Sequence, residues 1–101
     1  MIKLRLPEYE VSVHIRYNEF GKKLEKDLLM ATSTYVLDAS TEYQGVKDFH
    51  WTFESWQEAV RAGENLKEFV NNPNLLLLLV KANNNETIKP IYHKDRRKSK
   101  I

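Results

Sequence analysis

The chain has 101 residues and a mass of 12.0 kDa, with 42% apolar and 30% charged residues, 16 Lys and Arg against 14 Asp and Glu, three Gly, three Pro and no Cys. That size and composition predict one globular domain and exclude collagen-like or linker-like chains, disulfide scaffolds, thiolate metal sites and cysteine nucleophiles. The last nine residues hold five of the sixteen bases and one of the fourteen acids, so the net charge of +2 belongs to the tail, and the rest carries 11 bases against 13 acids.

The organisation expected is therefore a single domain over 1–92 and a basic tail over 93–101. The tail offers nucleic acid or an acidic partner a weak contact at most. The longest apolar run, 75–80, falls far short of the roughly 20 residues that span a bilayer, and Arg5 and Glu8 interrupt any signal-peptide core. The expectation is a cytoplasmic protein with no membrane partner.

In chain order, Ile2, Leu4 and Leu6 alternate with Lys3 and Arg5, which suggests a short extra strand ahead of Pro7. From 9 to 17 the alternation is complete, with Tyr9, Val11, Val13, Ile15 and Tyr17 on one side and Glu10, Ser12, His14 and Arg16 on the other, the pattern of a half-buried strand. Asn18 stands at an N-cap position, and Phe20, Leu24, Leu28 and Ala31 recur at helical spacing, predicting a helix over 19–32. Gly21 reads as a cost of about 1 kcal/mol to that helix. A second strand follows over 33–42, with Tyr35, Leu37 and Ala39 on its core side. A turn at Tyr43-Gln44-Gly45 leads to a third strand over 46–53, with Phe49, Trp51 and Phe53 on the core side. Ser55 and Glu58 form a capping box, and the apolar stripe from Trp56 to Val70 predicts a second helix that must end before Pro73. The apolar run 75–80 is β-sized and reads as a fourth strand, followed by an Asn83-Asn84-Asn85 turn. Residues 87–93 would add a short edge strand around Pro90.

The order β-α-β-β-α-β predicts an α+β domain of the ferredoxin-like kind. Its antiparallel sheet would have two helices on one face, the spatial order 4-1-3-2, central strands one and three running parallel, and possible extra short strands at both termini. With this order, 9–82, and the passage Phe53-Glu54-Ser55-Trp56-Gln57-Glu58-Ala59-Val60 in particular, resembles the small dimeric α+β-barrel proteins. Those proteins pair the open faces of their sheets, and a similar strand-to-helix passage occurs in RNA-recognition domains. The likeness is at the level of fold and implies no particular chemistry.

The fourth strand bears on partners. It is apolar on both sides, and a naked strand of that kind invites aggregation, so either a second subunit or 87–93 folding back must cover it. The expectation is a homodimer through Leu75, Leu77 and Leu79, whose burial would contribute on the order of 5 kcal/mol.

The face away from the helices is expected to hold Glu10, Ser12, His14, Arg16, Asp38, Ser40, Glu42, Asp48, His50 and Thr52. Of these, His14, Arg16, Asp38 and His50 are the candidate ligand-binding residues, and His14, His50, Arg16 and Asp48 the candidate catalytic ones. A histidine beside a carboxylate has the chemistry of a general base, while no sequential motif such as His-Glu-x-x-His points to a metal. No cofactor is expected. The barrel resemblance also implies a comparison with haem-degrading monooxygenases, which place an Asn after strand one, a Trp on strand three and a His on helix two. Asn18 and Trp51 fall at the first two places, and helix two has no His. RNA binding would need the third-strand aromatics exposed, which the core assignment of Phe49 and Trp51 opposes. The function expected is a small homodimeric binding or assembly module with a possible small-molecule ligand. A small monooxygenase- or isomerase-like enzyme and an RNA-binding domain are the rivals.

Overall fold

The computed structural model describes residues 9–83 and 87–94. The expected strand ahead of Pro7, turn residues Asn84 and Asn85, and the tail from 95 onward lie outside the described residues.

Strand β1, Tyr9–Arg16, puts Val11, Val13 and Ile15 in the core as its alternation requires. Helix α1, Glu19–Ala31, starts where Asn18 Oδ1 accepts the Gly21 N–H at 2.7 Å. Gly21 is required here rather than merely tolerated. A Cβ at this position would lie 1.9 Å from the Arg16 carbonyl oxygen, so only glycine lets the first turn of α1 approach the end of β1. Strand β2, Val36–Tyr43, turns into β3, Val46–Phe53, through Gln44 and Gly45, both with positive φ, at 53° and 81°. A two-residue connection of this kind is a type I′ hairpin, whose twist matches that of the strands it joins. Ser55 Oγ accepts the Glu58 N–H at 3.1 Å and starts α2, Trp56–Asn65, which tightens into a 3-10 turn at Leu66–Phe69 where one longer helix was expected. Strands β4, Leu75–Ala82, and β5, Thr87–His93, complete the fold.

The expected four-stranded ferredoxin-like βαββαβ arrangement is overturned. The sheet has five strands in the order β2-β3-β1-β4-β5, and every pair is antiparallel. β5 is a full member, pairing with β4 from Leu77 to Ala82 and accommodating Pro90 where the register shifts. β1 and β3 are neighbours but antiparallel, because the hairpin after β2 sends β3 back against both. The coarser expectation stands: this is a small α+β fold with an antiparallel sheet, compatible with a ferredoxin-like one.

Because β5 flanks it, β4 is an interior strand, and its edge is covered within the chain, while Leu77 and Leu79 stay half-buried. A register shift beside Leu76 also breaks its alternation. Leu75, Leu78, Val80 and Ala82 are buried, while Leu77 and Leu79 fall cross-strand from His14 and Ser12. Leu75 thus belongs to the core of the single chain.

That core joins Val11, Val13 and Ile15 to Phe49, Trp51, Leu78 and Val80 of the sheet, Leu24 and Leu28 of α1, and Ala59 and Ala62 of α2. The Phe49 and Trp51 rings stack with centroids 5.7 Å apart, and the buried Trp51 indole N–H has no hydrogen-bond partner among the described residues. α2 lies close to the sheet at Gly63, where a Cβ would meet Val80 Cγ2 and Ile91 Cδ1, each at 2.7 Å. Lys47 of β3 and Tyr17 both hydrogen-bond Glu25, fastening α1 to the hairpin. Burial works to raise the Glu25 pKa, but these two bonds outweigh it and hold the carboxyl below its ordinary range.

Candidate functional site

On the opposite face of the sheet, alternate residues of three strands converge. β1 supplies Glu10, Ser12 and His14. They stand cross-strand from Thr52, His50 and Asp48 of β3 on one side, and from Lys81, Leu79 and Leu77 of β4 on the other. His14 and His50 are therefore diagonal neighbours on adjacent antiparallel strands.

One hydrogen-bond network connects most of these polar groups. Asp48 Oδ1 accepts the Thr41 N–H at 3.1 Å and the Thr41 hydroxyl at 2.6 Å, while Asp48 Oδ2 lies 3.3 Å from His50 Nε2. Ser12 Oγ lies 2.9 Å from His50 Nδ1. The neutral tautomer with the proton on Nε2 satisfies both sides, donating to Asp48 and accepting from Ser12. Glu10 sits at the other end, 3.6 Å from His50 Nδ1 and 3.8 Å from Lys81 Nζ. Although polar, Glu10 and Ser12 are only 8% and 3% exposed, so their partners matter to the fold as well as to any ligand.

The electrostatics separate the two histidines. Burial works to raise the Asp48 pKa, but the hydrogen bonds from Thr41 and His50 outweigh it and keep the carboxylate ionised. His14 has no hydrogen-bond or ion-pair partner among the described residues. Its pKa is lowered, first by burial and then by His50 and Lys81, with Asp48 opposing. Burial thus disfavours the charged form of His14, whose ring nitrogens have no hydrogen-bond partner among the described residues, whereas both ring nitrogens of His50 are already engaged. His14 and Asp48 line a shallow depression of about 290 Å³ with Thr41, Tyr43, Gln44 and Val46, at the hairpin end of this face.

Of the sequence candidates, His14, Asp48 and His50 come together. Arg16 stands at the end of the same row, opposite Val46, half-buried and without an ion-pair partner among the described residues. Asp38 does not join them. A bulge between Leu37 and Ala39 shifts the register of β2, so that Ala39, Thr41 and Tyr43 stand opposite His50, Asp48 and Val46. Ser40 and Glu42, expected on this face, instead pair with Phe49 and Lys47 of the core side. Sequence reading missed Thr41 for that reason. It missed Lys81 because the fourth strand was ended at Val80, although the alternation Leu77, Leu79, Lys81 extends it.

The other anticipated roles meet structural uses. Asn18 caps α1 and its amide donates to Asn74 Oδ1 at 3.4 Å, and Trp51 is wholly buried. Phe49 is buried beside it, so neither β3 aromatic is available for base stacking. Among the described residues, no group of three or more His, Cys, Asp or Glu is placed to hold a metal ion, and no helix is long and apolar enough to cross a membrane. No protein family model matches the chain, and no curated protein or solved structure matches it either.

Proposed function

We propose that the chain is a small binding module that works as a homodimer, with the His14, Asp48 and His50 face of its sheet as the surface shared between two copies. The observation that carries this reading is the make-up of that face. Its polar centre, His14 apart, is hydrogen-bonded within the protomer. Half-buried Leu77 and Leu79 and exposed Ile88 and Pro90 flank it on one side, and Val36, Ala39 and Tyr43 on the other. Five strands of seven or eight residues present a face of roughly 600 Å² in projection, on the order of the 800 Å² per partner that a standard interface buries. The enzyme reading has less support, because the depression beside His14 is open and the Ser12 hydroxyl, although it and Asp48 flank His50 as a nucleophile and an orienting carboxylate would, is only 3% exposed and out of a substrate's reach.

Sedimentation velocity at micromolar concentration tests the proposal. The expected mass is twice 12.0 kDa. The double variant Leu77→Glu/Leu79→Glu should sediment as a monomer with an unchanged far-ultraviolet circular dichroism spectrum. A monomeric parent protein would sink the idea.

A further inference from the structure

The two edges of the sheet differ. β5 is guarded by Pro90, which has no N–H to donate, by Lys89 and by an irregular register. β2 has no such proline, all eight of its residues are exposed, and its outer edge is free of any partner strand among the described residues. Beside the start of β2 lies a second concavity, of about 370 Å³, between the strand and α2. Its floor is Tyr35, Phe53 and Ala62, with the two rings edge to face at 5.2 Å. Its rim carries Glu54, Glu58 and Arg61.

We propose that β2 and this groove take up an extended basic peptide, which adds to the sheet as a sixth strand and lodges one apolar side chain between Tyr35, Phe53 and Ala62. Strand addition to an exposed edge draws affinity from main-chain hydrogen bonds and specificity from pockets for alternate side chains. Here the edge and a pocket lie side by side. Charge selects the occupant. Asp38 and Glu42 on the strand and Glu54 and Glu58 at the groove have no ion-pair partners among the described residues; Arg61 is the one cation lining the groove, and Lys47, cross-strand from Glu42, is taken up by Glu25. Four carboxylates against one guanidinium favour Lys and Arg in the ligand. The same charges disfavour a second copy at this edge, since antiparallel pairing of β2 with itself would gather Asp38 and Glu42 from both chains. The proposal is independent of the dimer, which would use the sheet face and leave this edge free.

The test is a titration of the nitrogen-15-labelled full chain with a synthetic peptide alternating valine with lysine and arginine, followed by amide chemical shifts. Shifts should concentrate in β2 and around Tyr35 and Ala62. A counterpart with glutamate in place of the bases should bind at least about tenfold more weakly, because like-charge juxtaposition costs more than the 1.4 kcal/mol that this ratio represents. The exposed double variant Asp38→Lys/Glu58→Lys should weaken the basic peptide by a similar factor while leaving amides elsewhere unmoved. No shifts in β2, shifts centred on β5 or on the His14 face, or equal binding of the two peptides would overturn the proposal.

Discussion

The two sides of β1 are built from alternate residues of one strand yet held by different physics. Val11, Val13 and Ile15 are buried by contact with helix side chains, an attraction that is non-directional and scales with area and volume. Glu10 and Ser12 are nearly as buried on the other side, but there the stabilising contacts are directional and depend on protonation. Substitutions on the first side should therefore cost according to the space they leave or overfill, and those on the second according to the bonds they break.

The widest separation is expected within β4. Leu78→Ala should lower unfolding free energy by about 3 kcal/mol, the middle of the range for a buried leucine. In dilute protein, Leu79→Ala, one residue along on the half-buried side, should cost about 1 kcal/mol or less. Urea denaturation of both variants measures the gap, and equal losses would mean that the two sides are not distinct. Gly63→Ala comes next. The methyl would meet Val80 and Ile91, and overpacking of about 1–3 kcal/mol should exceed the helix-propensity gain of about 1 kcal/mol. A variant more stable than the parent would show that α2 can move away from the sheet.

On the polar side, Asp48→Ala should cost about 1–2 kcal/mol, less than Leu78→Ala, because the Thr41 and His50 bonds are partly open to solvent. Amide exchange should rise first at Thr41 and His50. Unchanged exchange at both would show that the network contributes nothing to holding β2 on β3.

The same contrast explains what was legible in the sequence. The core side announced itself through period: the alternation of Val11, Val13 and Ile15, the caps at Asn18 and Ser55, and the aromatics of β3 are local signals, and the structure uses each accordingly. His14, Asp48 and His50 could be grouped because they sit at the same parity. The failures occur where parity is broken by a partner strand. The bulge between Leu37 and Ala39 exchanged Asp38, Ser40 and Glu42 for Ala39 and Thr41, and the shift beside Leu76 sent Leu75 into the core. Neither bulge has a residue signature of its own, and β2, exposed along its whole length, has no burial pattern from which its bulge could be read. Gly21 likewise looked like a propensity defect because the carbonyl it must clear belongs to another element, the end of β1.

The smallest expected effect is also the one that only the polar side can produce. The pKa of His14 lies below its ordinary 6.5 in the folded chain, with burial as the leading cause. As pH falls through 6.5, the unfolded chain takes up this proton before the folded one does. The stability due to neutral His14 is therefore whole above about pH 6.5 and drains away below it, until the pH passes the folded value. Asp48 and Glu25 act in the same direction at lower pH. Their folded pKa values lie below the ordinary 3.8 and 4.5, so their contributions are present above those values and are lost as pH falls through the folded ones. Thermal melts from pH 8 to pH 5 should show a declining midpoint in the parent and a flatter profile in His14→Gln, with the parent falling away from the variant toward the acid end, because glutamine has no charged form for burial to penalise. Parallel profiles would show that His14 takes up its proton as readily folded as unfolded, and the polar side would then differ from the core side in geometry alone.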